Sequence, residues 1–184
     1  MKRLFIAVPV SEEVKEKIKL ALSELSKTGA DLKLVSPSHL HFTLKFLGDV
    51  DEKKIPEIEK KLAEIAAKMK CFEISVKGMG VFTSLERINV VWIGTENPNL
   101  TSLMKSVGEE LDYMRKNDHE EEVAHLTIAR VKSAKNKKEL REFVKKFEKK
   151  EFGKIMVDRI ILFESELRGE GTEYRVVKKF EFSK

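Results

Sequence analysis

The sequence predicts an α+β fold of two lobes, each an antiparallel sheet with helices on its outer face. Three observations carry that prediction. Segments with the two-residue period of strands alternate with segments of helical period. A short pattern, His-apolar-Thr-apolar, occurs twice, as His41-Phe42-Thr43-Leu44 and as His125-Leu126-Thr127-Ile128. The order after each copy is similar: motif strand, helix, strand, turn, strand. No Gly-, Ser- or Pro-rich linker separates the copies. The 184 residues therefore read as a single bilobal domain over 1–184, with one His-x-Thr motif per lobe.

The elements follow in order. Lys2 to Val10 is an apolar strand closed by Pro9. Ser11 opens a helix with Glu12 and Glu13 in its first turn, where negative charge suits the helix dipole; Val14, Ile18, Leu22 and Leu25 form one face and Gly29 ends it. Leu32 to Val35 is a short strand, Ser36-Pro37-Ser38 a turn, and His39 to Leu47 the first motif strand, ended by Gly48-Asp49. Asp51 caps a second helix with the stripe Ile55, Ile58, Leu62, Ile65 and Met69. Phe72 to Val76 alternates as a strand and Gly78-Met79-Gly80 breaks it; Ile88 to Ile93 is another strand. Asn97-Pro98-Asn99 opens a third helix with Leu100, Leu103, Val107, Leu111 and Met114 inward. Arg115 to Glu122 is a charged loop and Val123 to Val131 the second motif strand. A basic loop over 132–138 leads to a fourth helix carrying Leu140, Phe143, Val144 and Phe147. Lys154 to Phe163 is a strand, Arg168 to Gly171 a turn, and Tyr174 to Phe182 the last strand.

Composition narrows the class. Charged residues make up 36%, well above the usual quarter; such Lys/Glu richness accompanies adaptation to heat. The net charge of +5 is a modest basic excess that favours a polyanionic partner. A lone cysteine, Cys71, excludes an intramolecular disulfide and a multi-cysteine zinc site; beside Phe72 it reads as core. No apolar run reaches membrane-spanning length, and the short run from Leu4 to Val10 passes straight into acidic residues without a cleavage-like segment. A reducing, cytoplasmic setting fits.

In a strand, alternate side chains share a face, so His41 goes with Thr43 and His125 with Thr127. Two imidazoles facing each other can hold one proton between them, since histidine titrates near neutrality. One accepts a proton from a nucleophile and the other gives one to a leaving group. A 2′,3′-cyclic phosphate beside a ribose suits this chemistry. It needs an activated water, a protonated leaving oxygen and donors for the phosphoryl oxygens, and Thr43 and Thr127 supply hydroxyls. Arg130 could grip phosphate in a fork, but strict alternation points it away from His125. Phe46 occupies the matching place beyond His41, as core or as a stacking surface. Phe82 and Trp92 read as core, and the lysine-rich helix over 137–150 as a solvated face.

The stretches His41-Phe42-Thr43-Leu44-Lys45-Phe46-Leu47-Gly48 and His125-Leu126-Thr127-Ile128-Ala129-Arg130 resemble the paired signatures of the 2H phosphoesterase superfamily, in particular its RNA 2′,3′-cyclic phosphodiesterase, or 2′-5′ RNA ligase, family. Arg3-Leu4-Phe5-Ile6-Ala7, Gly80-Val81-Phe82 and Val91-Trp92-Ile93-Gly94 are similar to that family too. The resemblance implies two sheets related by a pseudo-two-fold axis, with one motif from each lining a central cleft. It implies hydrolysis of the cyclic phosphate to a 2′-phosphate without a cofactor, in RNA processing, tRNA included. It also implies joining of such an end to a 5′-hydroxyl without ATP. The residues it points to are His41 and His125 as catalytic, and Thr43, Thr127 and Arg130 on the phosphate, with Phe46 a candidate RNA contact. We take His125 as base and His41 as acid.

Two other functions compete. A non-catalytic RNA- or nucleotide-binding module could use the same basic cleft. A metal site could draw on His39 and His41 with a third ligand from His119 or His125; the threonines make better sense as phosphate donors, so no metal is expected. The expected partner is an RNA or nucleotide with a 2′,3′-cyclic phosphate end, and the expected state a monomer away from membranes.

Overall fold

A computed structural model describes residues 1–114, 124–169 and 171–183. The strands are β1 (Lys2–Pro9), β2 (Leu32–Leu34), β3 (His41–Val50), β4 (Phe72–Thr83), β5 (Ile88–Gly94), β6 (His125–Val131), β7 (Glu151–Val157), β8 (Arg159–Arg168) and β9 (Gly171–Glu181). The helices are α1 (Glu12–Ser26), α2 (Ile55–Lys68), α3 (Pro98–Glu110) and α4 (Lys137–Phe147). The charged stretch from Arg115 to Glu122, with His119, lies outside the described residues.

Two antiparallel sheets result. The first has the order β3-β1-β8-β9 and the second β2-β6-β5-β4-β7. Apart from β2, the orders match strand for strand, with motif strand β3 standing where β6 stands. Each sheet buries one face under two helices: α2 and α3 pack on the first, and α1 and α4 on the second. The α+β architecture with helices outside is therefore as the periodicities predict.

The helices form where their stripes dictate. Val14, Ile18, Ala21, Leu22 and Leu25 are the buried face of α1. Ile58, Leu62, Ile65 and Ala66 are that of α2, whose Pro56 sits in the first turn, where a missing N–H costs nothing. The Asn97 side chain accepts from the N–H groups of Asn99 and Leu100 and caps α3, worth about 1 kcal/mol. Asp51 caps a 3-10 turn ahead of α2 by accepting from Lys53 N–H, while Ser11 makes no side-chain cap bond. No helix among the described residues is long and apolar enough to cross a membrane.

Several expectations are corrected. Most strands that follow a motif belong to the other motif's sheet: β4 and β5 pair in the sheet of β6, and β8 and β9 in the sheet of β3, while β7 stays in the sheet of β6. The halves are interleaved. The run from Lys154 to Phe163 is two strands in two sheets, β7 pairing with β4 and β8 with β1. The crossing is at Asp158, whose carbonyl accepts from Phe182 N–H and whose carboxylate holds Arg159 at 2.9 Å. Gly78 to Gly80 does not break β4. Gly78 takes a left-handed φ of 77° at a register shift and the strand runs on to Thr83. Gly48 likewise carries β3 through to Val50 with φ of 70°. Cys71 is exposed, at the crossing between α2 and β4, where Lys70 bridges Ser183.

Candidate functional site: two histidines between two sheets

Each motif strand carries a bulge at the same place. In the first sheet, Ala7 pairs with Thr43 but Ile6 pairs with Lys45, so Leu44 is an extra residue on β3. In the second, Trp92 pairs with Thr127 but Val91 pairs with Ala129, so Ile128 is extra on β6. A bulge inserts one residue and resets the alternation beyond it. Ile128 and Ala129 both go into the helix-covered core. Arg130, opposite Val90, consequently comes round to the face of His125 and Thr127. Phe46, opposite Phe5, comes round to the face of His41 and Thr43. Strict alternation gave the wrong face for Arg130; the bulge supplies the missing half-turn. Its charge acts on Tyr174 of the opposite sheet.

The two uncovered faces come together. β3 packs against β6, and His125 lies within electrostatic reach of His41. Thr43 and Thr127 are half-buried beside their histidines, Arg130 is exposed, and Phe46 is 44% exposed, which settles it as surface rather than core.

His41 sits in an aromatic nest. Phe5 lies 4.9 Å from its ring centroid, Phe163 6.3 Å, and Tyr174 5.3 Å away edge-on. Its Nδ1 is 2.6 Å from the His39 carbonyl. A carbonyl only accepts, so Nδ1 carries the proton and Nε2 is left for a substrate. Burial pushes His41 down to about 4; the hydrogen bond to His39 opposes this, and the charges of His39 and His125 add to it. At neutral pH the free protein therefore holds a neutral His41.

His125 is buried among the aromatics of the second sheet. Phe82 meets it edge-on at 4.7 Å and Trp92 lies at 6.4 Å. These residues are half-buried walls of the cleft and not core. Gly80 makes the wall possible, because a Cβ there would stand 2.3 Å from Trp92 Cζ2.

His39 ends a 3-10 turn and precedes β3, so it does not alternate with His41 in the strand. Its ring packs on Tyr174 at 4.8 Å and its carbonyl accepts from His41 Nδ1. Among the described residues, no three His, Cys, Asp or Glu side chains converge as a metal site. Tyr174, Phe5 and Phe163 were not singled out in the sequence. Phe5 and Phe163 are cross-strand partners, a relation that no local pattern reveals.

Comparison with known proteins matches this architecture. The family model described as LigT like Phosphoesterase fits twice, over residues 8–92 and 93–174, one motif in each match. The chain is 36% identical to the RNA 2′,3′-cyclic phosphodiesterase of Methanocaldococcus jannaschii, over 97% of this chain and 99% of that protein. It is 38% identical to the protein of the same name from Archaeoglobus fulgidus, over 97% and 99%. Among solved structures, Thermus thermophilus TT0787 superposes with a TM-score of 0.80 at 24% identity, covering 98% of this chain and 97% of that one. E. coli LigT complexed with 3′-AMP superposes with 0.78 at 21% identity, covering 100% and 99%; at such identities these two speak for the fold. With both halves matched in turn and near full-length relatives above 30% identity, the chain belongs to the LigT-like phosphoesterase family of 2H phosphoesterases.

Proposed function

We propose that the chain is an RNA 2′,3′-cyclic phosphodiesterase that opens the cyclic phosphate to a 2′-phosphate by metal-independent acid–base catalysis. One observation carries the reading: two strands from two sheets, bulged at the same residue after the threonine, bring His41 and His125 to a shared cleft. The names of the relatives support the cyclic-phosphodiesterase part of it.

The reaction balances with the groups present. A water attacks phosphorus as His125 takes its proton. The bond from phosphorus to the ribose 3′-oxygen breaks, and His41 gives that oxygen a proton from Nε2. Neutral His41 must first be charged, and the negative phosphate supplies the reason: an opposite charge favours the imidazolium and opposes the burial that holds it neutral in the free protein. Thr43, Thr127 and Arg130 bind the phosphoryl oxygens, the arginine most strongly because its donors are charged. Exchange of protons with solvent resets both histidines. A 5′-hydroxyl in place of water makes a 2′-5′ bond through the same steps, without ATP.

The test is incubation of the pure protein, with a metal chelator, with an RNA ending in a 2′,3′-cyclic phosphate. The expected product is a 2′-phosphate, formed by the parent and lost in His41→Ala and His125→Ala. Salt-sensitive binding with no turnover would make the chain a binding module instead. Loss of turnover on chelation would refute the metal-free scheme.

A further inference from the structure

The far end of β6 opens onto a second basic site, some distance from the histidines. A pocket of about 180 Å³ is lined by Arg87, Lys132, Lys135 and Lys137, with Asn89 and Ser133 between them. Four cations converge there, and no carboxylate lines the pocket. None of the four forms a salt bridge with a described residue, in contrast to Lys17, Lys146, Lys154 and Lys178 elsewhere on the surface. Glu86 lies outside the lining and feels the charges of Arg141 and Lys137.

The site is built rather than incidental. The Ser84 hydroxyl accepts from Glu86 and Arg87 N–H, both at 3.2 Å, and fixes the turn before β5. Arg141 on α4 donates to the Leu85 carbonyl at 3.1 Å and ties that turn to the helix. Lys132 N–H donates to the Asp31 carbonyl at 2.9 Å. Lys135 N–H reaches the Ser133 hydroxyl at 3.4 Å. The cations thus project from a backbone already tied to the second sheet and to α4.

The way from the cleft to this pocket is also cationic. Arg130 lies past the bulge on the face of His125, and Lys33 of β2 stands directly opposite it in register; both are exposed. From His125 to Val131 the strand spans roughly 20 Å at 3.3 Å per residue. That is the length of about six stacked nucleotides at 3.4 Å each, and fewer in an extended strand.

We propose that this pocket holds the backbone phosphates of the RNA upstream of the reacting end, so that the enzyme prefers a cyclic phosphate on an oligonucleotide to one on a mononucleotide. The inference rests on the RNA reading given above. Contacts to phosphate alone position a strand without reading its sequence, so the preference is for length and not for bases.

The test compares two substrates, a 2′,3′-cyclic mononucleotide and a cyclic-ended RNA of about ten nucleotides, long enough to span both sites. The parent is compared with the triple variant Lys132→Ala, Lys135→Ala, Lys137→Ala. In the variant, KM for the RNA is expected to rise about tenfold or more. The slope of log KM against log salt is expected to flatten by about 2, at 0.7 for each of three phosphates no longer neutralised. Turnover of the mononucleotide stays unchanged, which also shows that the variant is folded. An unchanged KM for the RNA, or equal losses on both substrates, overturns the proposal. A parent that cleaves neither substrate overturns the RNA reading itself, a result distinct from either.

Discussion

The two halves place the same two residues in the same geometry and then diverge. Beyond the bulge, the first sheet offers Phe46 where the second offers Arg130. Around the histidine, the first sheet has Phe5, Phe163 and Tyr174, and the second has Phe82 and Trp92 with a cationic track leading away. Under the proposed reaction, histidine and threonine are common to both because proton transfer and phosphoryl contact are needed on both sides of phosphorus. Under the same reaction the differing residues suit a substrate that is not symmetric: a charged phosphate for Arg130 and the face of a nucleobase for Phe46.

Substitutions can break that comparison at graded cost. His41→Asn and His125→Asn each remove a proton-transfer group, and each is expected to lower kcat by about 10²- to 10⁴-fold, read from the initial rate on a cyclic-phosphate substrate. Arg130→Ala removes charged hydrogen bonds worth about 1.5–3 kcal/mol, so kcat/KM should fall by about 10- to 100-fold. Arg130→Lys should restore only part of it, since a point charge lacks the fork. Phe46→Ala should cost about fivefold to tenfold, mostly in KM, if a base stacks there. An equal loss in Phe46→Ala and Arg130→Ala would erase the division of labour between the halves.

The pH dependence sharpens the contrast on the side of His41. The profile of kcat/KM reports the free enzyme and that of kcat the complex. A group held at about 4 when free and charged by a bound phosphate should give a limb at higher pH in kcat than in kcat/KM. Coincident limbs would contradict the bound phosphate's role. Stability should respond too. The unfolded chain binds this proton near 6.5 and the folded protein near 4. His41 therefore destabilises the fold as pH falls from about 6.5 to about 4, by at most about 3 kcal/mol. In His41→Asn, the fall in Tm across that window should be shallower.

What the sequence made legible was local. The two His-x-Thr patterns, the four helices and the cap at Asn97 all show in short windows, and the structure places them as expected, except that the stripes overran α2 at Met69 and α3 at Met114. The face of Arg130 was not legible because a bulge leaves no mark in the period of two that it resets. The break at Asp158 was hidden because β7 and β8 form one apolar run, and sheet membership depends on distant partners. The exchange of strands between halves is hidden for the same reason. Tyr174 reaches His41 only through the pairing of β9 with β8, and Cys71 is exposed despite the apolar residue beside it.

The central claim is that the two halves act as one acid–base pair on a single phosphate, and a double-variant comparison tests it most directly. The initial rate of 2′-phosphate formation is measured for the parent, His41→Asn, His125→Asn and the double variant on one cyclic-ended RNA. Residues that act as a unit lose their contribution once, so the double variant is predicted to be no slower than the more damaged single variant. Losses that multiply, or full activity in either single variant, would contradict the pairing.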